Sequence, residues 1–279
     1  MNLKDRASRL HWLLSAQFGI APRVTFRSLR GVPRYIRDLF RFRSGYTGRF
    51  ELVPCLHDWY EEGGATKLEY FWQDLLMARM IHDSKPQKHV DIGSRVDGFV
   101  AHVASFREIE VFDIRPITSK IPGVTFKQAD FMRPLDGMAD YCDSLSCLHA
   151  LEHFGLGRYG DRIDPRGAEH GLANMAGLLR ENGIFYLSVP IGMSRVEFNA
   201  NRVFDPRAIV ELAQENSLRL SALTVIHRGG IVKECVPSAT QLSELAGERY
   251  ALGLFVFVKI AAGGNTAMDS VAGAVLTTS

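Results

Sequence analysis

No apolar run in this 279-residue chain approaches the 18 or so residues that a membrane span needs; the best stretches, Gly183 to Met193 and Leu252 to Ala262, are strand-length. The chain is therefore not expected to cross a bilayer. Cysteine is scarce. Cys55, Cys142, Cys147 and Cys235 show no C-x-x-C spacing and form no dense framework, and the Lys4-Asp5-Arg6 start lacks the apolar region of a signal peptide. The expected compartment is reducing and cytoplasmic. The turn after the first strand lacks the G-x-G-x-x-G pattern of a phosphate cradle and no Tyr-x-x-x-Lys pair occurs, which disfavours a nicotinamide-dependent reductase. Aromatic-basic interleaving and groove-reading modules are missing as well, so nucleic acid is not an expected partner.

What is present is an ordinary buried-core composition, 46% hydrophobic and 23% charged, long enough for one large domain plus an appendage. The net charge of +2 conceals an asymmetry: residues 1–50 hold eleven Lys/Arg against Asp5 and Asp38, and the remainder is net acidic. Leu3, Ala7, Leu10, Leu14 and Phe18 fall at helical spacing among basic residues. Pro33 suits the first turn of a second helix, on which Arg30, Arg34, Arg37 and Arg41 form a cationic stripe. Residues 1–65 are thus expected to be a basic helical extension. Its stripe is either a solvated face or a peripheral contact, through residues 1–50, with anionic membrane or phosphorylated substrate.

From Lys88 onward, short β-rich runs alternate with helical stretches. Seven strands are expected: His89 to Ile92, Glu110 to Ile114, Val124 to Gln128, Ser144 to Leu148, Ile184 to Val189, Arg219 to Val225 and Gly253 to Ile260. Helices are expected over Leu68 to Ile81, Asp97 to Ser105, Gly167 to Leu179 with Asn182-Gly183 as its stop, and Pro206 to Gln214 capped by Asp205. The alternation predicts an α/β, doubly wound, mostly parallel seven-stranded sheet over residues 66–262. The tail 263–279, small and polar, is expected to be disordered.

In such a sheet ligands bind beyond the carboxyl ends of the strands. After the first strand, Asp91-Ile92-Gly93-Ser94 enters a turn in which Gly93 lets backbone approach a ligand and Asp91 can hold a cation or cap the turn. Asp113, twenty residues past Gly93, can accept both hydroxyls of a ribose or cap its strand end. His149, Glu152 and His153 lie beyond the fourth strand. His153 suits a general base, or else is a capping or core histidine, with Glu152 as its orienting partner or a metal ligand; His149 is expected to be structural. No metal centre is expected, because no second cluster supplies the remaining ligands. Gly155 to Asp161 packs three glycines around Arg158, Tyr159 and Asp161, a substrate loop or a tight turn closed by an Arg158–Asp161 pair. Pro190 to Arg202 reads as a lid carrying Glu197, Asn199 and Arg202, and Trp72 and Gln73 can close the pocket from the other side.

The segments VDIGSRVDG, FDIRP, KQAD and DSLSCLHALEH, in this order and spacing, resemble the class I S-adenosylmethionine-dependent methyltransferases over Leu68 to Ile260. Within them LHALEHFGLGRYGD, LSVPIG and FNANRVF resemble a bacterial family of surface-polysaccharide gene clusters. The resemblance implies a Rossmann-like fold, S-adenosylmethionine as cofactor, and a small-molecule or glycan substrate. It also implies cofactor contacts at Gly93 and its neighbours Asp91 and Ser94, at Asp113 for the ribose, and at Gln128 to Asp130 for the adenine, with Asp143 opening the fourth-strand motif. The glycine loop is depleted relative to the family pattern. Two readings therefore stand: a methyltransferase acting on a sugar hydroxyl, and a binding or scaffold protein that keeps the fold alone.

Overall fold

The computed structural model describes residues 7 and 10–261. They divide into two compact units after Ala65. The tail 263–279, Leu3, and thus part of the first predicted helix, lie outside the described residues.

In the first unit, residues 10–12 are helical and run into a π-turn, Leu13–Gln17. The dominant element is α1, Pro22–Arg43. Pro22 holds its first turn, where a missing N–H costs nothing, so Pro33 stands in the helix interior and not at its start. Gly31 is buried because the chain at Leu56 crosses it: a Cβ there would lie 1.9 Å from the Leu56 carbonyl oxygen.

In the second unit, α2 (Glu69–Ser84) leads into β1 (His89–Ile92), a π-turn at Val96–Val100 and, continuous with it, a single α-turn α3 (Ala101–Ala104), which together fill the helix expected at Asp97 to Ser105. Then follow β2 (Ile109–Asp113), β3 (Val124–Gln128), β4 (Cys142–Leu148), a 3-10 turn at Leu151–His153, α4 (Gly167–Leu178) and β5 (Leu179–Ile191). A small hairpin, β6 (Arg195–Glu197) and β7 (Asn201–Val203), precedes α5 (Pro206–Glu215), β8 (Leu218–His227), β9 (Ile231–Cys235), α6 (Ala239–Gly247) and β10 (Ala251–Lys259). Asp205 caps α5 as expected, its carboxylate accepting from the Arg207 amide at 2.9 Å with Pro206 in the first turn.

The main sheet has eight strands in the order β3-β2-β1-β4-β5-β10-β8-β9, one more than the seven expected. The addition is β9, an exposed edge strand joined to β8 through Gly229 and Gly230, both at positive φ. Strands β1 to β5 pair in parallel; β10 runs antiparallel between β5 and β8. Asn182 and Gly183 lie inside β5 and do not stop a helix: the helix ends at Leu178, and Asn182 at φ 62° sits where the β4–β5 register shifts.

Helices cover both faces. On one, Val90, Ile92, Leu145 and Phe185 pack with Leu172 and Met175 of α4 and Ile209 and Val210 of α5. On the other, Ile109, Val111 and Tyr186 pack with Met77 and Ile81 of α2 and Phe99 and Val103. The two-residue period of a strand puts Val90 and Ile92 on the first face, and His89 and Asp91 therefore on the second. The topology is Rossmann-like: the chain winds outward from β1 through β2 and β3, then returns to β4 on the other side. A crevice therefore opens at the carboxyl ends of β1 and β4.

Candidate functional site

Asp91 is fully buried and meets two hydroxyls and an amide. Its carboxyl accepts from Ser94 Oγ at 2.5 Å, Ser146 Oγ at 2.6 Å and the Ser94 amide at 3.1 Å. The Ser94 hydroxyl in turn accepts from the Leu148 amide at 3.0 Å. Both side chains tie β1 to β4 in this structure. Burial is the largest influence on Asp91 and, against its hydrogen bonds, pushes its carboxyl up to about 7. Asp143 is a correction to the sequence reading. It lies near the amino end of β4, and its oxygens accept from the Gln87 and Lys88 amides, both at 2.7 Å, on the sheet edge opposite the crevice.

Gly93 and Asp113 stand at the crevice. Gly93 has φ 71°, and a Cβ there would lie 3.0 Å from Ala150 Cβ, so the turn stays bare of side chain. Asp113 ends β2 and is held bidentately by Arg115, Nε to Oδ1 at 3.0 Å and Nη2 to Oδ2 at 2.7 Å. The Arg115 guanidinium lies 4.2 Å from the centre of the Tyr159 ring. Gln128 donates to the Ile114 carbonyl at 2.7 Å, and Asp130 accepts from the Met132 amide at 2.9 Å.

Beyond β4 the chain turns through His149, a non-glycine residue at φ 54°. Glu152, fully buried, points its Oε1 at His149 Nδ1, 2.5 Å away, and stands 3.8 Å from His153 Nε2. Glu152 is thus the hydrogen-bond partner of His149, and its approach to His153 is a 3.8 Å charge contact in place of an orienting hydrogen bond. Burial alone would discharge His149, but Glu152 and then Glu69, 3.3 Å from Nε2, outweigh it and lift its pKa to about 9. His149 is an imidazolium held between two carboxylates. Tyr70 packs on its ring at 4.6 Å, and the Tyr250 hydroxyl donates to Glu69 at 2.8 Å. The Oε2 atom of Glu152 is buried with no hydrogen-bond partner.

His153 is of the opposite kind. Burial, the largest influence, lowers its pKa despite Glu152. Its Nδ1 lies 2.7 Å from the Ala200 carbonyl oxygen. A carbonyl can only accept, so Nδ1 carries the proton and Nε2 keeps its lone pair. Tyr159 stands edge-on to this ring at 5.3 Å. A continuous row thus runs along the strand ends: Asp113, Arg115, Tyr159, His153, Glu152, His149 and Glu69.

The glycine loop adopts the unusual dihedrals expected of it, with φ 78°, 70° and 84° at Gly155, Gly157 and Gly160. Arg158 donates to the Ala200 carbonyl at 2.8 Å, and Asp161 accepts from the Gly157 and Tyr159 amides at 3.0 and 3.1 Å, so these two do not pair with each other. The stretch read as a lid loop is the β6–β7 hairpin. Glu197 there accepts from Arg195 at 3.0 Å and Asn199 is exposed. Arg202 is 7% exposed and donates to the carbonyls of Phe154 at 2.5 Å, Pro165 at 3.3 Å, and Glu152 and Asp164 at 3.4 Å. It is a buried fastener of the loop, with both terminal nitrogens engaged by main-chain carbonyls, where the sequence reading had it on a lid facing substrate. Gln73 is buried and joins Asp74 to Ser188, while Trp72 is half-buried against the core. Among the described residues, the grouping with metal-ligand spacing is His57, Asp58 and Glu61, in the first unit; His149, Glu152 and His153 do not converge in that way.

Sequence reading missed Glu69, Tyr70, Arg115 and Tyr250. Glu69, Tyr70, Gln73 and Asp74 recur at helical spacing on α2, a polar face on an otherwise apolar helix, and that was the available signal. Tyr250 carries none: it reaches the row because antiparallel β10 starts where the parallel strands end.

A family model described as Caenorhabditis protein of unknown function, DUF268, matches residues 113–213. No curated protein matches the chain. Among solved structures, it is similar to the 1,6-didemethyltoxoflavin-N1-methyltransferase of Burkholderia thailandensis, solved with 1,6-didemethyltoxoflavin and S-adenosylhomocysteine, at 18% identity over 73% of this chain and 81% of that one, TM-score 0.49. It is also similar to the [4+2]-cyclase SpnF, at 10% identity over 68% and 82%, TM-score 0.49. An O-methyltransferase family protein of Burkholderia thailandensis matches at 12% identity over 68% and 59%, TM-score 0.39.

Proposed function

We propose that the chain is an S-adenosylmethionine-dependent methyltransferase acting on a hydroxyl of a sugar or phosphorylated sugar-like group in surface-glycan assembly. One observation carries the reading: a half-buried His153 of lowered pKa, whose Nε2 makes no hydrogen bond, shares a row of strand ends with the Gly93 turn and Asp113. The residues fit a cationic nucleoside. Gly93 leaves backbone bare, Asp113 offers a carboxylate at the end of β2, and Glu152 Oε2 is a buried acceptor without a donor. When bound, the cofactor supplies an electrophilic methyl group on a sulfur that leaves without protonation.

The chain then has to orient an acceptor and remove one proton. The acceptor hydroxyl donates to His153 Nε2, and Ala200 fixes the tautomer that makes this possible. As Nε2 takes the proton, Glu152 at 3.8 Å stabilises the imidazolium. His149, already protonated, cannot serve as base; it holds Glu152 in position. Exposed Arg158 and the Tyr159 ring are available to a sugar or its phosphate.

Calorimetry with S-adenosylhomocysteine tests the cofactor, and Asp113→Ala should weaken binding by about 1 to 3 kcal/mol. With nucleotide-linked sugars and glycan termini as acceptors, His153→Ala should lower turnover by about 10² to 10⁴ while cofactor affinity holds. A second reading, a binding or scaffold protein without turnover, is favoured by the Arg115 clamp on Asp113, which occupies the ribose acceptor. No heat at millimolar ligand, with Arg115→Ala also silent, would refute the methyltransferase and leave the scaffold.

A further inference from the structure

We propose that α1 docks on an anionic lipid bilayer, lying in the plane of its surface. The helix has three faces. Gly31, Ser28 and Tyr35 turn toward the chain at Leu56 to Tyr60, where the Leu56 carbonyl crosses Gly31 and the His57 ring approaches the Ser28 hydroxyl at 3.4 Å. A second face carries Phe26, Leu29, Pro33, Ile36 and Phe40, at steps of three and four residues, with Phe26 68%, Leu29 67%, Ile36 45% and Phe40 70% exposed. A third carries Arg23, Arg27, Arg30, Arg34, Arg37 and Arg41 at the same steps. Five of these arginines directly follow a residue of the apolar stripe, so the two stripes run side by side, about 100° apart.

Among the described residues of the first unit none covers the apolar stripe, and the one acidic side chain on this helix, Asp38, pairs with Arg34 at 3.4 Å and Arg37 at 2.8 Å. Arg30 and Arg34 also stack on Tyr60 and Trp59. The side chains of Arg23, Arg27 and Arg41 have no ion-pair partner among the described residues. Charge complementarity and the lateral order of the stripes select the occupant. A bilayer interface offers acyl chains and, immediately beside them, a layer of phosphates, and an amphipathic helix buries its apolar face about 5 to 10 Å deep there. A nucleic acid would use the arginines and leave the Phe26–Phe40 stripe in water. The inference is independent of the methyltransferase reading, because its test detects lipid and not turnover.

The test is sedimentation of the full chain with vesicles of phosphatidylcholine alone or mixed with phosphatidylglycerol, at low and high salt. The chain should leave solution with the anionic vesicles only. Replacing Arg23, Arg27 and Arg41 by Gln together should lower partitioning on the order of a hundredfold, from roughly fivefold per arginine. Phe26→Ser with Phe40→Ser should remove the portion that survives high salt. All five side chains are exposed, so unchanged thermal unfolding will show that the variants fold. Equal recovery with neutral and anionic vesicles, or wild-type sedimentation of the triple variant, would overturn the proposal. So would RNA that strips the chain from vesicles and is held as tightly by the Phe26/Phe40 variant.

Discussion

Replacing His149 by Gln probes the charge arrangement beyond β4 without emptying the space. In the native protein the imidazolium lies 2.5 Å from Glu152 and 3.3 Å from Glu69, and its side chain is 7% exposed. Its pKa rises from about 6.5 to about 9 on folding, so the native state holds a proton that the unfolded chain releases within that window. A folded pKa above the unfolded one gives stability that is complete below pH 6.5 and lost as pH rises through about 9. The slope is about 1.4 kcal/mol per pH unit, or about 3 kcal/mol in all. Glu69 contributes no slope there: its pKa is lowered, so its share is already complete above the usual carboxylate range. In His149→Gln, Glu152 stays buried without its cation, a cost of about 3 to 5 kcal/mol at the acid end of the window. Urea unfolding at several pH values, read as the difference between wild type and variant, isolates this site. The gap should narrow toward pH 9. A constant gap would mean that His149 is neutral in the native protein, and the two-carboxylate argument would fail.

Gly155→Ala should cost about 3 kcal/mol or more, because φ is 78° and the new Cβ would lie 2.0 Å from the Asp164 carbonyl oxygen; thermal unfolding decides, and a loss below about 1 kcal/mol would show that the loop relaxes. Arg202→Met should cost about 2 to 4 kcal/mol by leaving loop carbonyls without donors, measured as a shift of the urea midpoint at constant slope. For Asp91, whose carboxyl folds with a raised pKa of about 7, the sign is that of a proton taken up on folding. Its share of stability is complete below about pH 4 and lost as pH rises through 7. Asp91→Asn should flatten that stretch of the pH–stability curve; an unchanged slope would place the titration elsewhere.

The central strands were legible because their burial is written in their residues. The run HVDI matches its strand at both bounds, and all four of its residues are buried. The outer elements were not. The strand at Ile231–Cys235 is short, mixed in polarity and exposed, and the hairpin at 195–203 has three-residue arms. A sequence motif also does not say which end of a strand a residue occupies relative to the sheet. Asp143 was misplaced for that reason, belonging to the amino end of its strand. Glu69 and His149 are eighty residues apart, and their meeting depends on how α2 crosses the sheet. Arg202 illustrates another limit: an arginine in a polar stretch looks available until the carbonyls around it are seen.

The acceptor that sets the tautomer of His153 is the main-chain oxygen of Ala200, and the same oxygen receives Arg158. No side-chain substitution at position 200 can delete it. Control of the imidazole is therefore vested in the path of a hairpin and not in the identity of a residue. A change that shifts this hairpin would alter basicity and the seat of Arg158 in one movement, while point substitutions at its tip could leave both untouched.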